Sequence, residues 1–394
     1  MKLAGIVILV LSVLGLAFGV QMDATVLAVG GIQFFNIGLL AQRQNVFLIS
    51  GFAAVVGVVL FGFGTVAERQ LPVSADTKLR AGDAAQNARW AWGAGLAFLF
   101  VAPFIGVYPV FMMTALCFAI FACAFNLLLG FTGLLSFGHA AFMGAAAYAT
   151  GWLVRSAGWP PELGLLAAIA VGGALGAVVG LIAIRRQGIY FAMVTLAMAQ
   201  MIYFVCLQAP FTGGEDGLQG VPRGKLFGLV PLDNDLTLYY VVVAIFVAVF
   251  VAIIRIVHSP YGQVLKAIRE NEPRAVSLGY DVDRYKLLAF VLSTALAGLA
   301  GGLKTVVLGF ASLSDVHWSM SGEVVLMTLL GGMGTLAGPV VGALTIIGLQ
   351  NFLADRVGSW VTVIIGVIFV VCVLAFRKGM VGELLAWQQR RRSG

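Results

Sequence analysis

The chain has 394 residues, 61% of them hydrophobic and only 10% charged, with a formal net charge of +7. A soluble domain carries about 25% charged residues, so a water-exposed fold is excluded and lipid has to be the solvent for most of this surface. Backbone groups in lipid must pair within the protein, which leaves helices or a closed barrel. Apolar runs of roughly 17–23 residues without two-residue alternation select helices.

In chain order, residues 3–20 form a first apolar span, read as a retained anchor and not a cleaved leader. Residues 24–41 are apolar but hold Gln33 and Asn36, and are read as non-crossing or interfacial. A span follows at 46–67, and residues 68–89 are a polar linker to the main body. The body has spans at 90–111, 112–131, 140–157, 162–184, 189–208, 236–257, 285–311 and 360–376. Residues 321–353 suit either two short crossings or a re-entrant pair, broken around 331–339. The expected class is an all-α polytopic membrane protein with about 10–12 membrane helices. Cys117, Cys123, Cys206 and Cys372 all lie in apolar runs with no CxxC pattern, so neither a metal site nor a disulfide is expected.

Positive charge sets orientation. With 68–89, 185–188, 258–284 and the tail from Arg377 on the cytoplasmic side, the inner segments and their flanks hold 16 of the 24 Lys and Arg residues. The main outer loop, 209–235, has Arg223 and Lys225 against Glu215, Asp216, Asp233 and Asp235. This distribution obeys the positive-inside rule and places the C-terminus in the cytoplasm. It also accounts for the basic excess without a nucleic acid partner.

Helices in lipid associate through small residues that let backbones approach. Gly172, Gly176 and Gly180 fall on one helix face, and so do Gly334, Gly338 and Gly342, and Ser293, Ala297 and Gly301. Such seams serve plain packing or allow helices to slide. Two polar breaks stand out. One is 132–142, where Asn126, Thr132, Ser136 and His139 gather near a membrane face; the other is 331–343, rich in glycine and holding Pro339. Broken membrane helices occur where backbone faces protein or a water-filled cavity. Asn126, Thr132, Ser136, His139, Gly331, Gly332 and Gly334 are therefore the candidate substrate pathway, against the alternatives of a simple turn and a structural histidine.

The chain has no phosphate-binding GxxxxGK[ST] pattern, no HExxH and no GxSxG, so neither a cofactor nor catalysis is expected. No Asp lies within a clear span and Glu323 falls near a span end, which argues against an ion-coupled secondary transporter. Lys304, toward the outer end of 285–311, is expected to snorkel to the headgroups, as is Arg155.

One dense block of charge interrupts the apolar chain: SPYGQVLKAIRENEPRAVSLGYDVDRYK, residues 259–286. Ser259 can cap a helix whose first residue is Pro260, and Val264, Leu265 and Ile268 fall on one face. Pro273 ends that helix and opens a second, stopped by Gly279; Asp281 or Asp283 can cap the next span. Glu270 and Arg274 are spaced to pair, although Pro273 intervenes. The near balance of basic and acidic residues suits a protein groove better than a lipid surface.

These residues resemble the coupling loop of ABC importer permeases. The signature EAA, three residues, then Gly is kept in degenerate form, with Ala275 and Gly279 at the right spacing and Pro273 in place of the Glu. FNLLLGFTGLLSFGHAAFMGAAAYAT (125–150), TGGEDGLQGVP (212–222), SPYGQVLKAIRENEPRAVSLGYDV (259–282) and SGEVVLMTLLGGMGTLAGPVVGA (321–343) together resemble the M-type permease of branched-chain amino acid ABC importers. The urea importer permease is a close relative. Glu215 stands where these permeases often have Thr, and residues 1–89 lie outside the resemblance.

The resemblance implies a permease domain over 90–394 of the larger, many-helix importer type, in a bacterial inner membrane. It implies a coupling loop at 258–284 in which Arg269, Glu270, Glu272, Arg274, Ala275, Ser277 and Gly279 meet an ATPase. The implied partners are a second homologous permease, two cytoplasmic ABC ATPase subunits and a periplasmic substrate-binding protein. The implied substrate is leucine, isoleucine, valine or a related amino acid, with urea or an amide as the alternative. A stand-alone secondary transporter is the reading from a different class.

Overall fold

The computed structural model describes residues 108–357 apart from Leu229, with short stretches at 10, 12–15, 17–18, 25–27, 33–35, 46, 50, 99–100, 102–105, 363–367 and 379–380. The chain divides into two units: Met113–Ile347 with Gly366–Val381, and Met1–Met112 with Gly348–Ile365 and Gly382–Gly394. In the second unit, β1 (Thr25–Leu27) pairs antiparallel with β2 (Gln33–Phe35), so these residues of the 24–41 stretch are strand and not helix. The linker at 68–89 and most of the spans at 3–20, 46–67 and 360–376 lie outside the described residues.

The described residues of the main unit are mostly helical. Among the described residues α1 (Pro109–Thr132), α2 (His139–Arg155), α3 (Pro161–Ala183), α4 (Ile189–Gln208), α5 (Asp235–His258), α6 (Pro260–Glu270), α7 (Glu272–Ser277), α8 (Val282–Leu308), α9 (Trp318–Gly331) and α10 (Gly338–Val357) follow in order. Of these, α1, α3, α4, α5 and α8 are long and apolar enough to cross a membrane, and the protein is an all-α polytopic membrane protein. The only other described strands of the main body are the short pair β3 (Lys225–Leu226) and β4 (Val230–Pro231).

Local chemistry sets the boundaries. α1 opens at Pro109, a few residues before the expected start of its span, because proline suits the first helical position. Asn234, Ser259, Asn271, Asp281 and His317 cap the starts of α5, α6, α7, α8 and α9 with their side chains. Gly309 ends α8 with φ +74, a left-handed conformation that favours glycine.

α8 is the centre of the main unit, packed between α3 and α2. A Cβ on Gly172 of α3 would stand 2.5 Å from the Thr294 carbonyl oxygen and 3.0 Å from Gly298 Cα. Gly176 lies against the Thr294 hydroxyl, and Gly301 lies against the Met143 carbonyl of α2. The two seams are thus backbone-close contacts, the form of helix association that lipid permits. The third glycine row differs from expectation. Gly334 is in the turn before α10 with φ +77, so it does not share a helix face with Gly338 and Gly342.

A second correction concerns Lys304. It does not reach the headgroups: it is 9% exposed, pairs with the carboxylate of Asp315 and lies 5.2 Å from the centroid of the Phe118 ring. Asp315, 2% exposed, sits in a short turn after α8. The same loop joins residues 217–221 through paired backbone bonds between Leu218 and Ala311, both 2.9 Å, and from Val221 N to Gly309 O at 2.8 Å. These two loops form a cap at the end of the bundle away from α6 and α7.

Candidate coupling site

The charged block folds as two short helices on the N-terminal end of α8. Leu265 and Ile268 of α6 are buried, and Ile268 clusters with Ala275 of α7 and Val282 of α8, with Val264 and Tyr285 packed against them. Tyr261 stacks on Tyr285 with ring centroids 5.6 Å apart and donates to the Tyr285 carbonyl at 3.0 Å. Burial, reinforced by Tyr285, holds the Tyr261 phenol well above its ordinary range, so it stays a neutral donor. Asn271 is the pivot: it ends α6 in an extended conformation and its side chain accepts from Arg274 N at 3.1 Å.

The charged residues divide by direction. Glu272 turns inward, binding Lys286 of α8 at 2.6 Å and accepting from Gln187 Nε2 at 3.1 Å. The Lys286 side chain is only 4% exposed, so this carboxylate is its counter-charge. Arg269 reaches across to the carbonyl oxygen of Gly130, near the end of α1. That carbonyl is among the last of a helix, where a cation is favourably placed. Gly133, φ +78, and Gly334, φ +77, lie against the same arginine, and a side chain on either would meet it. A cleft of about 420 Å³ beside it is lined by Phe131, Lys266, Arg269, Glu270 and Gly334.

Glu270, Arg274, Ser277 and Gly279 remain at the surface, whereas Ala275 is buried. No ion pair joins Glu270 to Arg274 among the described residues, since the extended Asn271 separates the end of α6 from α7, to which Arg274 belongs. Between them α7 and its exit expose three large apolar side chains: Val276 at 57%, Leu278 at 68% and Tyr280 at 40%. Sequence reasoning on charge missed these three. Their signal was an apolar row in a loop that no neighbouring element covers. Gly279 has φ +87 and open space around its Cα, so it shapes the turn between them.

The polar breaks form two separate clusters. Asn126 of α1 clamps the turn between α9 and α10: its amide donates to Thr335 O at 2.8 Å and its carbonyl accepts from Gly334 N at 2.9 Å. Gly331, Gly332 and Gly338 let that turn close, since a Cβ on Gly338 would stand 2.5 Å from the Gly332 carbonyl. His139 belongs to the other cluster. Its Nε2 meets Ser293 Oγ at 2.9 Å, and Ser293 donates its one proton to Ala124 O at 2.5 Å. Nε2 must therefore carry the proton, which leaves Nδ1 as a bare acceptor; it is buried and without a partner. Thr132 and Ser136 are satisfied locally, Thr132 by Leu128 O and Ser136 by Gly138 N at 3.3 Å.

Among the described residues no group of three or more His, Cys, Asp or Glu could hold a metal ion. The short helices expose Val276, Leu278 and Tyr280 and are joined by Arg269 and Glu272 to α1, α8 and the turn after α9.

Residues 109–373 match the family described as the branched-chain amino acid transport system permease component. The chain is 30% identical over 258 aligned residues to the high-affinity branched-chain amino acid transport system permease protein LivM of Escherichia coli strain K12, covering 58% of this chain and 60% of that relative. It is 27% identical over 214 residues to a probable LivM of Methanocaldococcus jannaschii, covering 52% and 61%. A probable LivH from the same archaeon is 28% identical over 121 residues, covering 28% and 36%. The chain thus spans about 60% of the length of the first of these curated relatives. The family match takes in well over half of the sequence, including every helix from α1 to α10, and the chain belongs to the family of branched-chain amino acid transport permease components.

Proposed function

We propose that this chain is the transmembrane permease subunit of an ABC importer that passes branched-chain amino acids across a bacterial inner membrane. ATP hydrolysis takes place in two partner ATPase subunits, a second homologous permease completes the pore, and a periplasmic binding protein delivers substrate. Residues 90–394 are the permease domain, with the 258–284 loop and the C-terminus in the cytoplasm. Residues 1–67 are a separate membrane unit joined through 68–89.

The observation that carries this reading is the apolar patch of Val276, Leu278 and Tyr280, rimmed by Glu270, Arg274 and Ser277. An exposed apolar patch with a polar rim is the form of a protein-docking site. It stands on helices tied inward through Glu272 and Arg269, so force applied to it reaches the membrane helices. The substrate route runs past the breaks around Asn126, His139 and Gly334.

The test is reconstitution of the four kinds of subunit in proteoliposomes with labelled leucine. ATP-dependent uptake is expected only with all of them present. Gradient-driven uptake by this chain alone would overturn the reading in favour of a secondary transporter.

A further inference from the structure

The buried charged residues among those whose burial is described are Lys286, Lys304 and Asp315. Both lysines are on α8, 18 residues apart. At about 3.6 residues per turn and ~1.5 Å rise, that spacing is five whole turns, which puts both on one face about 27 Å apart. Each is paired with a carboxylate from outside the helix. Lys286 binds Glu272, at the start of α7, and Lys304 binds Asp315, in the cap loop that is bridged to Leu218. Between them, α8 is held by small-residue seams against α2 and α3, where Gly172, Gly298 and Gly301 each lie against a backbone carbonyl of the facing helix.

Neither pair is needed to build a helix in lipid. Two apolar side chains of similar volume would serve packing at least as well, since burying two charges costs about what their attraction returns. What a buried pair adds is a discrete geometry: it is made or it is broken, and a broken one leaves a charge stranded.

We propose that Lys286 and Lys304 are positioning residues that make α8 the transmission element between the two faces of the importer. Lys286 with Glu272 fastens the ATPase-docking helices to one end of α8. Lys304 with Asp315 fastens the outer cap, which faces the binding protein, to the other. A shift of α7 on ATP binding passes along α8 and shifts the cap; a binding protein seated on the cap signals to the ATPases by the same helix. This inference rests on the proposed importer function and adds the path of communication to it.

The test uses the complete reconstituted importer and reads the stimulation of ATP hydrolysis by leucine-loaded binding protein at saturation. The variant is K304M/D315N, which removes both charges together and leaves no stranded partner. A fall in stimulation of at least fivefold, with unstimulated hydrolysis as in the parent, is the expected result; a smaller fall overturns the proposal. Should the double variant fail to assemble, the parent decides. Amide hydrogen exchange in 309–317 is expected to change together with that in 272–281 when vanadate traps the ATPases, and an unchanged 309–317 overturns the proposal. A parent complex with no ATP-dependent leucine uptake at all would instead remove the importer reading itself.

Discussion

Gly172 and Gly173 are neighbours on α3 with opposite environments. Replacing Gly172 with Ala places a Cβ 2.5 Å from the Thr294 carbonyl oxygen and 3.0 Å from Gly298 Cα. The same Cβ on Gly173 makes ordinary contacts with the side chains of Ala295, at 3.5 Å, and Val291, at 3.9 Å. Carbon atoms pack best at about 3.5–4.0 Å, so G172A must part α3 from α8 by about 0.5–1 Å. Both obstacles are backbone, and no rotamer change relieves them. Overpacking of this kind costs about 1–3 kcal/mol. The gain in helix propensity from Gly to Ala, about 1 kcal/mol, is common to both variants and cancels in their difference. G172A is therefore expected to be less stable than G173A by about 1–3 kcal/mol. With ~2–4 °C per kcal/mol for domains of comparable size, the melting temperatures differ by about 2–12 °C. The assay is thermal unfolding of the purified chain in detergent, followed by exposure of buried cysteines. G298A meets the Ala168 carbonyl at 2.5 Å across the same seam. Once the helices have parted, the second substitution is cheap, so G172A/G298A is expected to be less destabilised than the sum of the single variants. Equal melting temperatures for G172A and G173A would refute the close-seam reasoning.

Three further outcomes are expected. Glu272→Gln strands Lys286, whose side chain is 4% exposed, and should cost about 3 kcal/mol, the lower end for a broken buried pair because Glu272 keeps some solvent. Adding K286M should restore most of the lost melting temperature. Asn126→Ala removes both bonds to the turn after α9 and should cost about 2 kcal/mol, read as faster proteolysis within 332–337. Leu278→Glu, at a site 68% exposed, should leave the unfolding free energy within about 0.5 kcal/mol of the parent. The same variant should retain at least tenfold less ATPase on co-purification, and undiminished retention would count against docking at this patch.

Much of the fold was legible because lipid enforces a simple rule. A long apolar run with no water to satisfy its backbone must be helical, so α3, α4, α5 and α8 could be placed within a few residues. The start of α6, the stop after α7 and the start of α8 were equally readable, since Ser259, Gly279 and Asp281 act on backbone within a turn of themselves; α7, expected to open at Pro273, opens one residue earlier because the Asn271 side chain caps it. What sequence could not supply was any choice of partner far along the chain. Hydropathy cannot tell a lysine that reaches for headgroups from one that turns to an aspartate 11 residues on, past the end of its helix, as Lys304 does with Asp315. Spacing put Gly334 on a helix face, but Asn126, 208 residues away, holds it in a turn. Charge counting treated Arg269 and Glu272 alike, yet Arg269, still exposed, bonds the Gly130 carbonyl, and Glu272 pairs with the buried Lys286. Local propensity and solvation are properties of a segment, and the sequence by itself determined those. Which charges are buried, and against what, depends on the approach of other helices, and only the tertiary structure decided it.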